Sequence, residues 1–170
     1  MKIISFNCRG LGRLKKKLAV HQLLSVDSLD IIFLQETLCL AGDIAHTLEH
    51  TLPGWSFSGL DAQSHSRGLA LGVNTRTIKE INGWGGQGFI GADVHTAKLG
   101  IPFRIINIYG PCLNRPLFWD HLLGLEIFSV ENLIVGGDLN FSIGNAESWG
   151  HRAQRDALSD YFSSIWNSTI

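Results

Sequence analysis

No apolar run in this sequence approaches the roughly 20 residues that a helix needs to cross a bilayer, so no membrane partner is expected. The opening stretch MKIISFNCRG reaches Asn7 and Arg9 too soon to act as a secretory signal, which predicts an intracellular place, nucleus or cytoplasm. Paired cysteines are also lacking. Cys8, Cys39 and Cys112 lie far apart with no CxxC spacing, which excludes the usual structural zinc pattern and fits small, buried, reduced thiols. An excess of one charge is lacking too: the net charge is −1 with histidine neutral, whereas a nucleic-acid-binding domain is usually basic. Only RLKKK (13–17) departs from that balance, and it reads as a solvated helix face, a phosphate-contacting patch or a nuclear localisation signal. Repeats, low-complexity tracts and linker-like stretches are missing, so residues 1–170 read as one domain. The 45% of hydrophobic residues against 17% charged is enough to build a core and argues against disorder.

Apolar periodicity gives a coarse map. KIISFN (2–7) reads as a short apolar strand and DIIFLQE (30–36) as a buried one. Residues 14–26, with Leu14, Leu18, Leu23 and Leu24 at helical spacing, read as a helix. A second helix is expected from about Asp43 to Thr51, stopped by Pro53. GWSFSGL, GLALGVN, RTIKEI, GFIGADVHT and FRIINIY follow as short strands separated by Gly and Asn turn signals. Helices are predicted over 116–128 and 153–166, with a buried strand over 133–138 between them. The whole predicts an α/β (α+β) layered domain with helices on sheet faces.

LIVGGDLNF (133–141) raises a question, because an apolar strand ends in an acid and an amide. Three other strands do the same. KIISF ends in Asn7, DIIFL in Gln35 and Glu36, and FRIINI contains Asn107 and ends in Tyr109. Singly these are turn residues or helix caps. Together they predict a cleft at converging strand ends. Two carboxylates, three asparagines and a phenol are hard oxygen donors that favour Mg²⁺ or Mn²⁺ over zinc. Amide and phenol donors suit charge developing on phosphate oxygens. The residues therefore point to metal-assisted phosphoester chemistry.

SFNCRGLG, FLQET, SRGLALGV, NIYGP and GGDLNF, in this order, resemble the endonuclease/exonuclease/phosphatase superfamily. NCRGLG, and GGDLNF followed by ESWG, resemble in particular the N-terminal endonuclease domain of plant LINE-type (non-LTR) retrotransposon polyproteins. The resemblance implies a two-layer β-sandwich with flanking helices, as in the deoxyribonuclease I-like fold. It implies hydrolysis of phosphodiesters, with DNA as the substrate class. Glu36 would hold the divalent metal with help from Asn7. Asn7 and Asn107 would bind phosphate, Tyr109 would contact it, Asp138 would orient or deprotonate the attacking water, and Asn140 would steady the phosphate and a catalytic histidine.

That histidine belongs to a Ser-Asp-His motif, and no such triplet occurs in these 170 residues. None of the seven histidines follows an acid at the end of an apolar strand, His151 included. The expectation is an incomplete domain, missing its last strands, with impaired or no nuclease activity and an exposed sheet edge that drives self-association. Two alternatives stay open: a non-catalytic nucleic-acid-binding fragment, and a small-molecule phosphatase or phosphodiesterase of the same superfamily. HTLEH (46–50) also matches the H-x-x-E-H pattern of inverted zinc proteases.

Overall fold

The structure, a computed structural model, describes residues 1–26, 29–62, 67–142, 144 and 156–168. The chain builds two four-stranded sheets. The first holds β1 (Ile3–Asn7), β2 (Ile31–Gln35), β3 (Trp55–Leu60) and β4 (Leu69–Asn74) in the order β1-β2-β4-β3. The second holds β5 (Lys79–Gly86), β6 (Phe89–His95), β7 (Pro102–Tyr109) and β8 (Leu133–Asp138) in that order. Helices α1 (Leu14–Val26) and α2 (Ala41–Thr51) belong to the first half of the chain, α3 (Arg115–Leu123) and α4 (Ser159–Ser168) to the second.

The sheets stack face to face. Ile31, Phe33, Leu69, Leu71 and Val73 of the first meet Ile90, Ala92, Val94, Phe103, Ile105 and Tyr109 of the second. Ile32 and Leu34, on the other face of β2, pack with Val20, Leu24, Ile44 and Leu48 of α1 and α2. Every residue of β2 is therefore buried, which is why its sequence lacks the alternation of a half-exposed strand. Phe89, Ile106 and Ile108 meet Trp119, Leu122, Leu158 and Phe162 from α3 and the start of α4. The mixed α/β fold with two sheets and flanking helices is the one expected.

Pairing register decides where the polar strand ends emerge. β1 runs parallel to β2 and their ladder ends at Asn7 opposite Gln35. β7 runs parallel to β8 and their ladder ends at Tyr109 opposite Asp138. Each parallel pair thus delivers two polar residues at the same end of its sheet.

Several expectations are corrected in detail. α1 forms where predicted, but Leu14 and Leu18 are exposed, and Val20 and Leu24 carry the packing. Four leucines fit helical spacing, but only the face turned to the sheet decides which are buried. RTIKEI is not a strand from its start; β5 begins at Lys79 and continues through a bulge between Glu80 and Asn82 into the glycine-rich NGWGG. The helix expected over 116–128 stops at Leu123, and residues 126–128 form a separate 3₁₀ turn. α4 begins at Ser159; positions 153–155 of the predicted helix lie outside the described residues. Cys8 is buried, Cys39 half-buried, and Cys112 exposed. β8 is not fully buried: Val135 is 42% exposed, because β8 ends its sheet among the described residues.

Candidate active site

Four strand ends build the site, and local backbone strain accompanies each of the loops that leave β1, β2 and β8. Arg9, Glu36, Leu38, Arg67 and Asn140 all have positive φ, between 41° and 52°. Non-glycine residues rarely adopt that conformation, and it concentrates at functional sites. Gly137 permits a turn closed to other residues: its φ is 138° and a Cβ there would lie 1.9 Å from the Ile108 carbonyl oxygen.

Asn7 sits at the centre. Its Nδ2 donates to Glu36 Oε1 at 3.2 Å and to Asp138 Oδ2 at 2.7 Å. One amide nitrogen thus joins carboxylates from opposite sheets. Its Oδ1 accepts from the Arg9 backbone N–H at 3.1 Å, which fixes the amide plane. Tyr109 Oη donates to Glu36 Oε1 at 3.0 Å. Arg67 Nη1 reaches Glu36 Oε2 at 3.4 Å, from a side chain 59% exposed, so solvent screens much of that attraction. Asn140 anchors its Nδ2 on the Gly110 carbonyl at 2.6 Å and donates its backbone N–H to Asp138 Oδ1 at 3.3 Å.

Electrostatics follow from these contacts. Burial pushes the Glu36 carboxyl up, but hydrogen bonds from Asn7 and Tyr109 and the nearby Arg67 outweigh it and hold the pKa below the usual carboxylate value. Burial pushes the Tyr109 hydroxyl up to about 12, helped by its bond to Glu36. The phenol therefore keeps its proton at neutral pH and remains a donor.

Asn107 does not join them. It is fully buried. Its Nδ2 donates to the carbonyls of Leu34 and Ala70 at 3.1 and 3.0 Å, and its Oδ1 accepts from Gln35 Nε2 at 2.6 Å. Both ends of the amide are committed, so it ties β7 to β2 and β4; the phosphate contact expected of it is not what its geometry offers. Gln35 also reaches Ser5 Oγ at 3.1 Å, extending this internal relay to β1. Sequence reasoning gave Arg67, Arg9 and Gln35 no catalytic role. Arg67 lies just before β4, which pairs with β2, and that pairing, not a sequence signal, brings it to Glu36.

Beside these groups lies an open cleft of about 420 Å³ lined by Ser5, Asn7, Gln35, Asp138 and Asn140. The donor set fits a hard divalent cation, because such an ion takes one or two carboxylates and fills its remaining positions with water and substrate oxygen. Among the described residues no three His, Cys, Asp or Glu side chains cluster into a metal cage, so a closed zinc-type site is not formed there. The HTLEH segment is structural: Glu49 accepts the Phe57 backbone N–H at 2.8 Å, tying α2 to β3. Its His46 and His50 rings stack 6.4 Å apart. RLKKK is partly structural as well. Lys16 Nζ caps the Cys8 carbonyl at 2.9 Å and also bonds the Arg9 carbonyl, holding the loop after β1. His65 and His151 lie outside the described residues.

The sequence profile of the Endonuclease/Exonuclease/phosphatase family matches residues 4–169. Among curated proteins none matches the sequence significantly. Solved structures share the fold. An AP endonuclease from Leishmania major superposes with a TM-score of 0.67 at 16% identity, over 98% of this chain and 65% of its own. The endonuclease domain of TRAS1, a telomere-specific non-LTR retrotransposon, gives 0.63 at 14% identity, over 98% and 70%. A mannosyl-6-phosphatase from Bacteroides thetaiotaomicron gives 0.64 at 14% identity, over 96% and 70%. The chain spans 62% of the length of other relatives of this fold. No described helix is long and apolar enough to cross a membrane.

Proposed function

The chain belongs to the endonuclease/exonuclease/phosphatase family, and from that premise we propose that its cleft binds a divalent cation, Mg²⁺ or Mn²⁺, and a phosphodiester of DNA for hydrolysis. The observation that carries this reading is the single Asn7 amide shared by Glu36 and Asp138. Two acids from different sheets held together by one neutral donor make a place for a cation and a polarised water, and nothing in the packing of the fold requires it.

In this reading Glu36 would hold the cation, which would neutralise charge on the phosphate, and Asn7, whose Nδ2 faces both acids while its Oδ1 accepts from Arg9, positions the two carboxylates. Asp138, oriented by Asn7 and by the Asn140 backbone N–H, accepts the proton of the attacking water. The new P–O bond forms in line with the ester bond that breaks. Tyr109 donates its one hydroxyl hydrogen to Glu36 and so orients the carboxylate that would hold the cation, and Asn140 steadies the phosphate. Placement of the reactants and oriented charge supply the rate.

DNA is preferred to a small phosphate ester because an open cleft suits a strand, and because the NCRGLG and GGDLNF wording is that of retrotransposon endonucleases; a telomere-specific member of that group shares the fold. A plant LINE origin rests on the wording alone. The mannosyl-6-phosphatase neighbour keeps the small-molecule reading as the second choice. The leaving oxygen needs a proton donor that these 170 residues do not supply as a Ser-Asp-His motif. By themselves they are expected to nick DNA slowly, and β1 and β8, which end their sheets among the described residues, are expected to promote self-association. Plasmid nicking with Mg²⁺ tests the reading. Slow, Mg²⁺-dependent nicking that Asp138→Asn removes is the expected result. Cleavage unaffected by Asp138→Asn and Glu36→Gln would sink it.

A further inference from the structure

A second cavity, of about 310 Å³, opens on the far side of Tyr109 between the β5–β6 turn and the start of α3. Its size suits a small flat group. Leu113 and Leu117 form its mouth and are 76% and 72% exposed, an unusual outlay of large apolar side chains on adjacent turns. Phe118 forms a wall, half-buried, with its ring set edge-on to Trp119. Gly88 lets that ring come close: a Cβ there would lie 2.8 Å from Phe118 Cε2, and its φ is +78°. Asn114, in the left-handed conformation with φ 53° and with no capping bond to α3, adds an amide to the rim. Gln87 and His121 add two further groups that can donate or accept.

We infer that this cavity takes a nucleobase of the strand whose phosphate lies at the cleft, so that it sets which nucleotide stands beside the scissile bond. The inference rests on the phosphodiester reading above. Tyr109 lines this cavity and bonds Glu36, and Glu36 shares the Asn7 amide with Asp138, which lines the cleft, so one hydrogen-bonded chain of side chains links the two spaces. No acid, lysine or arginine lines the cavity, so it does not suit a second phosphate. An apolar platform with amides at its edge matches a base, which has a broad π-face and a polar rim.

The test is fluorescence anisotropy of the whole chain with short single-stranded DNA in Ca²⁺, one abasic residue being moved along the strand. The wild type is expected to lose affinity about tenfold, the scale of one lost base stack, at one abasic position. Leu113→Gln/Leu117→Gln, which changes only exposed side chains, is expected to lose the same factor on the intact strand and nothing more on the abasic one. Asn114→Gly keeps the backbone conformation and is expected to change which base is preferred there. A flat abasic profile in the wild type, while Glu36→Gln still weakens binding, overturns the base site and leaves the phosphodiester reading standing. Failure of every strand to bind overturns both. Leucine variants that only become more monodisperse, with affinity unchanged, would assign the patch to a second copy of the chain and also overturn the inference.

Discussion

At the residue scale, position within a strand decides chemistry more than residue type does. Asn107 and Tyr109 lie two apart on β7 and so share a face. Tyr109 ends the ladder opposite Asp138 and donates to Glu36. Asn107 lies two residues deeper, opposite Gly136, where the carbonyls of Leu34 and Ala70 replace any phosphate. The sequence shows both as polar groups near a strand end and cannot show that two residues along the strand separate an amide committed to the core from a phenol at the acid cluster. Glu36 yields a pH prediction. Its carboxyl sits below the usual value of 4.5 in the folded chain, so its ionised form stabilises the fold. That contribution is complete above about pH 4.5 and is lost as the pH falls through the lower folded value. The stability gap between wild type and Glu36→Gln in urea titrations should therefore shrink below pH 4.5. A gap that widens on acidification would mean that Glu36 is not held ionised by Asn7, Tyr109 and Arg67.

At the element scale, the strands themselves were the most legible part of the chain. IIFL and IINIY are apolar enough to be central strands, and the polar residues after them mark where the strands emerge. Edge position was not legible, because it depends on which strands neighbour which. Val135 reads as core in LIV and is exposed since β8 ends its sheet among the described residues. The same blindness hid the face of α1, where Leu14 and Leu18 point outward. The β8 exit depends on Gly137, whose conformation is closed to side chains and whose Cβ would strike the Ile108 backbone. Gly137→Ala is expected to cost about 2–4 kcal/mol in denaturant unfolding and to displace Asp138. Gly12→Ala, which meets no atom within 4 Å, should change stability by less than about 0.5 kcal/mol. Equal effects from the two would mean that backbone shape at β8 does not position the acid.

At the scale of the whole molecule, two parallel pairs at corresponding ends of two stacked sheets make a cleft that no single sheet could. Local motifs indicated its composition; only the stacking brings Asn7 and Asp138, 131 positions apart in sequence, to 2.7 Å. Among the described residues β1 and β8 each end a sheet, and Phe6 and Val135 on them are each more than two-fifths exposed. Unpaired apolar edges invite pairing with another chain. Sedimentation velocity is expected to show concentration-dependent association of the 170-residue chain, reduced by Phe6→Lys and Val135→Lys. A wild type that stays monomeric at all concentrations would refute this.

Asn7, Glu36, Tyr109 and Asp138 form one hydrogen-bonded cluster beside the cleft, and this cluster is the proposed cation site. Paramagnetic broadening of backbone amide signals by Mn²⁺ tests it without requiring turnover. Broadening centred on residues 7, 36 and 138, competed by Mg²⁺ and abolished by Glu36→Gln, is the predicted result. Broadening centred on another acid cluster, or persisting undiminished in Glu36→Gln, would contradict the account.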